Sequence, residues 1–317
     1  MLLIDPPRWP AHDTRFGHLV SDSSLAELHA FARKVALPAG AFDHDHYDVP
    51  ERHYPAILAS GAELTPTRQL LDSLASAGLR IRPRDRQPGR QRAVKLLHRQ
   101  WSAAPLAPET VRDNLLTRWQ EPHRRYHDVR HLHQTITAAD SLGPHDPLVS
   151  LALWFHDAVY EGEAGNDEEA SAVLAGELLT EHLPASEVAE VQRLVRLTAT
   201  HDPESGDLRG ARVIDADLSI LAVSEARYHV YARDVRRDYA DVPEDTFVTG
   251  RTMVVQGLLD HPQLYSTDTA LRTWEESARR NLTAELNQLA TGLPLVPGGT
   301  PVEAQAGVMP PGSGVAD

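Results

Sequence analysis

Residues 148–157 read Leu-Val-Ser-Leu-Ala-Leu-Trp-Phe-His-Asp, an apolar run that ends abruptly in two polar side chains. Its apolar residues cover almost the whole circumference of a helix, a pattern that predicts a helix buried on every side. A charged Asp157 behind such a run is costly unless the carboxylate is paired or bound to a metal. A helix selected only for packing would not end in His156 and Asp157. The stretch therefore predicts both a helical core and a functional site at its end.

The helical pattern continues on both sides of this run, over residues 95–291. Val111, Leu115 and Trp119 share one helix face, and further apolar stripes follow along the chain. Short loops rich in Pro, Gly and Asp separate the segments, and no stretch alternates convincingly like a strand. The pattern predicts an all-α domain, with later helices at 148–159, 188–200, 213–223, 225–239, 247–259 and 268–290.

The first 86 residues mix strand and helix signals and predict a small α/β module. Short strands are predicted at 2–4 and 79–82. Amphipathic helices are predicted at 25–35 and 67–77, where apolar residues recur at helical spacing.

Two further segments separate or follow these domains. Residues 87–94 are predicted to be a linker, within a basic stretch that contains Pro and Gly. Residues 292–317 are rich in Gly, Pro and Ala and are predicted to be a disordered tail. The fold class expected for the whole chain is α+β, a small α/β module followed by an all-helical domain.

The composition limits the class of protein. The 317 residues carry a formal net charge of −14, and all of it lies beyond residue 90, because the first 90 residues hold 11 basic and 11 acidic side chains. An acidic body argues against a nucleic-acid partner, whose usual footprint is a basic face. The absence of cysteine excludes disulfides and zinc–cysteine sites. With no signal-peptide pattern and no apolar run near ~20 residues, we expect a cytoplasmic protein without a membrane partner.

Residues with metal-binding chemistry follow one another in the helical domain. In chain order they are His127 with His131, His156 with Asp157, His201, and Asp215 with Asp217. The first two histidines are four residues apart, so they share a helix face. Imidazole and carboxylate ligands suit Mn, Fe, Ni, Zn or Mg, and such an ion lowers the pKa of a bound water. The set predicts a divalent metal cofactor.

The order of these residues resembles the HD superfamily of metal-dependent phosphohydrolases. Longer motifs are similar to a bacterial group of such proteins, and they lie at 121–131, 153–160, 166–169 and 215–221. The resemblance covers residues 95–282 and implies four metal ligands, namely His131, His156, Asp157 and Asp217. The spacing Tyr-His-x-x-x-His is also similar to that of cyclic-nucleotide phosphodiesterases, which implies that His127 protonates the leaving oxygen.

Other residues are candidates for supporting roles. His201 could bind a second metal or a substrate phosphate, and Asp215 competes with Asp217 as a ligand or supports it. Glu168 and Glu169 could orient the metal-activated water, or could begin a solvated helix, where acidic residues are favoured. The guanidinium of arginine can donate two parallel hydrogen bonds to a phosphate. The candidate phosphate-binding arginines are Arg124, Arg125, Arg130 and Arg251. For each of them an ordinary surface role is the alternative.

The N-terminal module contains six histidines, and its densest polar run, residues 43–48, reads Asp-His-Asp-His-Tyr-Asp. Metal binding and a polar loop between two helices are both compatible with this run. We expect the loop, because neighbouring side chains there point in different directions. Motifs at 5–9, 18–19, 27–32 and 46–48 resemble a small bacterial domain of unknown function, DUF4031, which implies no activity.

Together these patterns predict an enzyme, a metal-dependent phosphoric ester hydrolase. It would act as a phosphomonoesterase or phosphodiesterase on a small phosphorylated metabolite or nucleotide, through metal-activated water. Two alternatives stay open: an HD domain that senses a nucleotide without turnover, and a di-iron HD-type oxygenase. The complete ligand set favours the hydrolase. Neither the identity of the metal nor the oligomeric state is predicted.

Overall fold

The computed structural model describes residues 1–81, 86–103, 107–163 and 165–290. The predicted disordered tail at 292–317 lies outside the described residues. The chain forms a small N-terminal sheet-and-helix module followed by a mostly helical region, so the α+β class is confirmed.

The N-terminal module is built on a sheet in which most neighbouring strands are antiparallel. Along the sheet the strands run in the order β4, β5, β3, β1 and β6, and β2 pairs with β3. Only the pairing of β1 with β6 is parallel among the described strands. The strand bounds are β1 Leu2–Ile4, β2 Trp9–Ala11, β3 Thr14–Ser21, β4 Phe42–Asp43, β5 His46–Pro50 and β6 Glu63–Leu64.

Helices cover this sheet. They are α1 (Leu25–Lys34), α2 (Tyr54–Ala59) and α3 (Thr67–Ser76), with 3-10 turns at Ala39–Ala41 and Glu51–His53. Leu19 and Val20 point to opposite faces of β3 because successive strand residues alternate, yet both are fully buried. Both faces of the sheet are therefore covered at that end of β3.

Two details of the module differ from the sequence predictions. Residues 79–81 form no strand, because the amide groups of Leu79 and Arg80 both bond to the carbonyl of Leu74 at the end of α3; residue 82 lies outside the described part. The run 43–48 is not a loop between helices but part of a hairpin: Asp43 ends β4, residues 44 and 45 form the turn, and β5 begins at His46.

The helical region begins earlier than expected. Helix α4 starts at Arg90, inside the segment predicted to be a linker, and Ala93 is fully buried against the helical core. The helix bounds are α4 Arg90–Ala103, α5 Glu109–Arg118, α6 Val129–Leu142, α7 Pro147–Phe155, α8 Asn166–Leu179, α9 Ala185–Leu197, α10 Leu208–Asp217, α11 Glu225–Asp238, α12 Glu244–Asp260, α13 Asp268–Thr273 and α14 Glu275–Ala290. A 3-10 turn, Leu218–Ala222, follows α10.

Helix α7 is the centre of the helical core. Ala152, Leu153 and Phe155 are fully buried, and the indole of Trp119 donates to the carbonyl of Trp154 over 2.9 Å. Burying seven residues of this nine-residue helix is what its apolar circumference predicts. The helix ends at Phe155, so His156 and Asp157 occupy the turn that follows it.

None of the helices in the described ranges combines the length and the apolar character that crossing a bilayer would require.

Titration of His29 should weaken the N-terminal module at acid pH. Burial, the largest influence, and repulsion from cationic neighbours such as Arg33 lower the pKa of His29 from 6.5 to about 4, and its Nδ1 lies 2.9 Å from the Tyr47 hydroxyl. Between pH 6.5 and 4 the unfolded chain binds a proton that the folded module rejects. Stability should therefore be full above pH 6.5 and fall by about 3 kcal/mol across this window.

Amide hydrogen exchange of α1, measured from pH 7 to 4 and corrected for intrinsic exchange, checks this effect. His29→Gln keeps a polar partner for Tyr47 but does not titrate, so its stability should depend less steeply on pH. Equal pH slopes in the two proteins would contradict the role of His29.

Candidate metal centre

Three separate helices bring the predicted ligands to one place. His131 lies in the first turn of α6, whose N-cap Asp128 accepts the amide of Arg130 over 2.8 Å. His156 and Asp157 follow α7, and Asp217 is the last residue of α10. Capping and burial of the three helices therefore fix the directions in which these four side chains point toward one another.

The donor atoms of these four residues converge. The Nε2 atoms of His131 and His156 are 3.1 Å apart. Asp217 Oδ1 is 3.2 Å from the first nitrogen and 3.5 Å from the second. Asp157 Oδ2 is 3.2 Å from His156 Nε2 and 3.7 Å from His131 Nε2. Two imidazoles and two carboxylates thus face one small volume.

The orientation of His156 favours a ligand role. Its Nδ1 lies 2.8 Å from the carbonyl of Leu153, to which it donates, so a neutral ring presents the lone pair of Nε2 to the cluster. Metal-bound histidines commonly donate their second nitrogen in this way. His131 differs, since its buried Nδ1 has no hydrogen-bond partner within the described ranges.

The charges in the cluster favour the binding of a cation. Burial acts most strongly on His156 and opposes its charged form, yet Asp157 and Asp217 raise its pKa well above the usual value. Burial likewise opposes ionisation of Asp217, but His156, His131 and His201 hold its pKa well below the usual range. Both carboxylates therefore stay ionised beside the imidazoles. This donor set fits a divalent transition metal, which prefers imidazole and carboxylate ligands.

His127 lies beside the cluster and is held by a residue that the sequence did not reveal. Its Nδ1 is 2.8 Å from Asp238 Oδ2, at the end of α11. The same carboxylate accepts the backbone amides of Arg125, Tyr126 and His127. The ring of His127 also stacks on Tyr160 with a centroid distance of 4.4 Å. Asp238 therefore fixes the imidazole and leaves Nε2 as its available nitrogen.

A cavity of about 240 Å³ adjoins the cluster, and its lining includes His127, Asp157, His201 and Asp217. Tyrosine rings form much of the remaining wall, from Tyr126, Tyr160, Tyr231 and Tyr239. The Tyr126 hydroxyl is buried without a hydrogen-bond partner in the described part of the chain. The lining of the cavity thus combines metal-type ligands, the imidazole of His127, and two tyrosines, Tyr126 and Tyr160, whose buried hydroxyls lack a hydrogen-bond partner among the described residues.

His201 joins the cluster as an outer neighbour. Its Nε2 is 3.2 Å from Asp217 Oδ2, the oxygen that faces away from His131. The backbone of His201 has φ 53°, the left-handed conformation, just past α9. An L-residue adopts this conformation at some cost, and here it places the imidazole in the cavity wall.

The acidic candidates separate into different positions. Glu168 lines the cavity, but its carboxylate accepts the amide of Gly165 and caps α8. Glu169 lies on an exposed face, paired with Arg196 at 2.6 Å, and does not line the cavity. Asp215 is fully buried and accepts the amides of Ser266 and Thr267 at 2.8 and 2.7 Å. The structure therefore contradicts Glu169 as a water-orienting residue, and of the two roles open to Asp215 it favours support of the helix end over ligation.

The arginine predictions also need correction. Arg125 is exposed and Arg130 pairs with Asp128, and neither lines the cavity. Arg251 does line it, but Glu285 binds its guanidinium through two hydrogen bonds of 2.8 and 3.0 Å. Arg130 and Arg251 are therefore already bound by carboxylates of the protein, and Arg125 lies outside the cavity.

Arg124 is fully buried and holds main-chain oxygens rather than a ligand. Its guanidinium donates to the carbonyls of His127, Asp157 and Ala158 over 3.1, 2.7 and 3.2 Å, and to Glu121 over 3.0 Å. These bonds tie the His127 segment to the His156-Asp157 turn. Arg124 is therefore a structural clamp and not a phosphate ligand.

Residues 2–77 match the family described as protein of unknown function (DUF4031). The N-terminal module is thus a DUF4031 domain, which confirms the resemblance of its motifs. Comparison of the chain with curated proteins and with solved structures finds no match. The HD-type assignment of the helical domain stays a prediction.

Replacing the clamp should destabilise the helical domain. Arg124→Lys would satisfy fewer of the buried carbonyls, so we expect a loss of about 2–4 kcal/mol in the free energy of unfolding. Urea denaturation followed by circular dichroism measures the change. Arg125→Lys, at the exposed neighbour, is the matched control and should stay within about 0.5 kcal/mol of wild type. An unchanged urea midpoint for Arg124→Lys would show that the hydrogen bonds of Arg124 do not stabilise the domain.

Proposed function

We propose that the helical domain is an HD-type metal-dependent phosphohydrolase that cleaves a phosphoric ester in a small metabolite or nucleotide. One observation carries the proposal: the four-residue ligand cluster and the His127–Asp238 pair line or adjoin the same cavity. A cation site beside a positioned proton donor is the combination that ester hydrolysis needs.

His131, His156, Asp157 and Asp217 are the residues proposed to hold the metal. A bound divalent ion supplies Lewis acidity and makes hydroxide available near neutral pH. Asp157 and Asp217 contribute the negative charge that retains the cation, and His156 is kept in position by its bond to the carbonyl of Leu153.

His127 is the proposed general acid. Asp238 holds Nδ1 at 2.8 Å and would stabilise the protonated ring, since a carboxylate favours the imidazolium form. The proton on Nε2 would pass to the oxygen of the leaving alcohol as the phosphorus–oxygen bond breaks. His127 then ends neutral and regains a proton from solvent.

Few charged side chains of the protein would be available to bind the substrate. Arg251 is already bound by Glu285, so the phosphate would meet His201 and the unpaired Tyr126 hydroxyl beside the ligand cluster. The tyrosine rings offer flat apolar surfaces to the rest of the molecule. A cavity of about 240 Å³ suits a small metabolite or a mononucleotide.

A second candidate is a two-metal site of the oxygenase type. The two oxygens of Asp217 face different histidines, Oδ1 toward His131 and Oδ2 toward His201. Asp217 and His201 are the residues that would help to hold a second ion, which would supply redox chemistry if it were iron. Such a site would show two irons and oxygen consumption rather than phosphate release.

The test compares wild type with His156→Ala/Asp157→Ala and with the control His182→Ala, which changes an exposed histidine of the same domain. Metal content is measured by elemental analysis, and hydrolysis of an aryl phosphate and a bis-aryl phosphate is followed under added manganese or nickel. We expect the double variant to lose its bound metal at this site and at least about 100-fold in turnover. The control should keep both.

Equal hydrolysis in the double variant would refute the proposed active site. Metal bound without hydrolysis of either ester would refute the hydrolase and favour the oxygenase or a nucleotide-sensing domain. Two irons with oxygen uptake would distinguish the oxygenase.

Asp238→Asn should impair proton donation without removing the metal. The amide would still occupy the position of the carboxylate but would not favour the protonated imidazole, so we expect turnover to fall about 10–100-fold. Metal content should stay that of wild type, because the Asp238 carboxylate bonds to the His127 segment and to none of the four proposed metal ligands. Loss of metal together with activity would instead indicate a purely structural role for Asp238.

A further inference from the structure

A second cluster of metal-type ligands lies in the DUF4031 module, on the face of two paired strands. In the antiparallel pair of β3 and β5, His18 is directly opposite Asp48. Directly opposite residues project from the same face, and His46 is two residues before Asp48, so it shares that face as well. Their neighbours Leu19 and Tyr47 point the other way, into the core.

The ligand atoms of this second cluster are close together. One donor atom from each of His18, His46 and Asp48 lies within 4.8 Å of the others. Asp48 Oδ1 is 3.4 Å from His46 Nε2 and 3.9 Å from His18 Nε2. The two rings meet edge to face with centroids 4.8 Å apart. Two histidines and one carboxylate are a recurrent ligand set for catalytic transition metals.

Buried carboxylates hold both rings from behind. His18 Nδ1 is 3.3 Å from Asp5 Oδ2, and His46 Nδ1 is 2.7 Å from Asp45 Oδ1. Asp5 and Asp45 are almost completely buried, and each is fixed by a further partner, Thr67 for the first and the amide of Ile81 for the second. This carboxylate–histidine arrangement orients Nε2 toward a metal in many sites. Simple surface ion pairing would not need two buried carboxylates behind the rings.

The cluster also opens onto a cavity. His18 and His46 line a space of about 210 Å³, together with Trp9 and Thr67. Arg80 and Arg86 line the same space, so an anionic group on a bound molecule would meet positive charge there. Three protein ligands beside such a space leave coordination positions for water or a small molecule.

We propose that the DUF4031 module binds one divalent first-row transition metal ion through His18, His46 and Asp48, with open coordination positions facing this cavity. The site shares no residue with the cluster of the helical domain, and it stands whether or not that domain is a hydrolase.

The test uses the full chain carrying His156→Ala/Asp157→Ala, so that the cluster of the helical domain is disabled. Cobalt(II) is the probe, because its visible absorption reports coordination, and elemental analysis after gel filtration gives the stoichiometry. We expect one equivalent of cobalt in this background. Adding Asp48→Asn should weaken binding at least about 10-fold, and adding His46→Gln should abolish the absorption bands.

His44→Asn is the matched control. His44 belongs to the same polar run but pairs with Asp43 instead of the cluster, and its φ of 58° is one that asparagine tolerates. This variant should bind cobalt like the background protein. Hydrogen exchange of β3 and β5 checks that each variant is folded; Asp48 is half-exposed, so Asp48→Asn should leave the sheet intact.

Absence of cobalt from the folded background protein would overturn the proposal. Cobalt that is retained with unchanged bands in both Asp48→Asn and His46→Gln would also overturn it, because the ion would then lie elsewhere.

Discussion

The buried guanidinium of Arg124 sets the geometry on which the helical site depends. A buried N–H group without an acceptor is costly, so the side chain requires carbonyl oxygens at suitable distances. It finds them in His127, Asp157 and Ala158, which belong to two segments far apart in sequence. The His127 segment and the His-Asp turn are therefore held in register by a buried residue that does not line the cavity. Rigid support of this kind lets ligands keep their positions before a cation binds.

The convergence of ligands in the helical domain could be anticipated from local sequence, whereas their partners could not. Asp157 is conspicuous because a charge follows a fully apolar run. The prediction that His127 and His131 share a helix face is wrong, because α6 begins at Val129 and His127 lies in the turn before it. Asp238 is different. It lies 111 residues after His127, on a helix with many other charged residues, and nothing local distinguishes it from a solvated side chain. The same limit applies to Arg124 and Arg251, whose acceptors Asp157 and Glu285 lie more than 30 residues away in sequence.

The sheet of the N-terminal module was harder to predict than its helices. Helices α1 and α3 follow their apolar periods almost to the residue. Strand β3 hides its period, because Leu19 and Val20 are both buried and the alternation of apolar and polar residues is lost. The dense polar run at 43–48 likewise predicts a loop, where the structure has the hairpin that contains His46. Its ligand face becomes apparent only when the register of β3 and β5 is known, since neighbours across strands are not neighbours in sequence.

The ion pair of Arg251 and Glu285 has a consequence for synthesis of the chain. Arg251 lies in the cavity wall on α12, but its two acceptor oxygens are on α14, the last helix described. A growing chain that has already released His131, His156 and Asp217 from the ribosome still lacks the carboxylate that neutralises this arginine. Since chains emerge from their N-terminus, the ligands would be exposed while the cavity is incomplete. The order of synthesis thus leaves an interval in which the proposed metal ligands are present without a finished pocket.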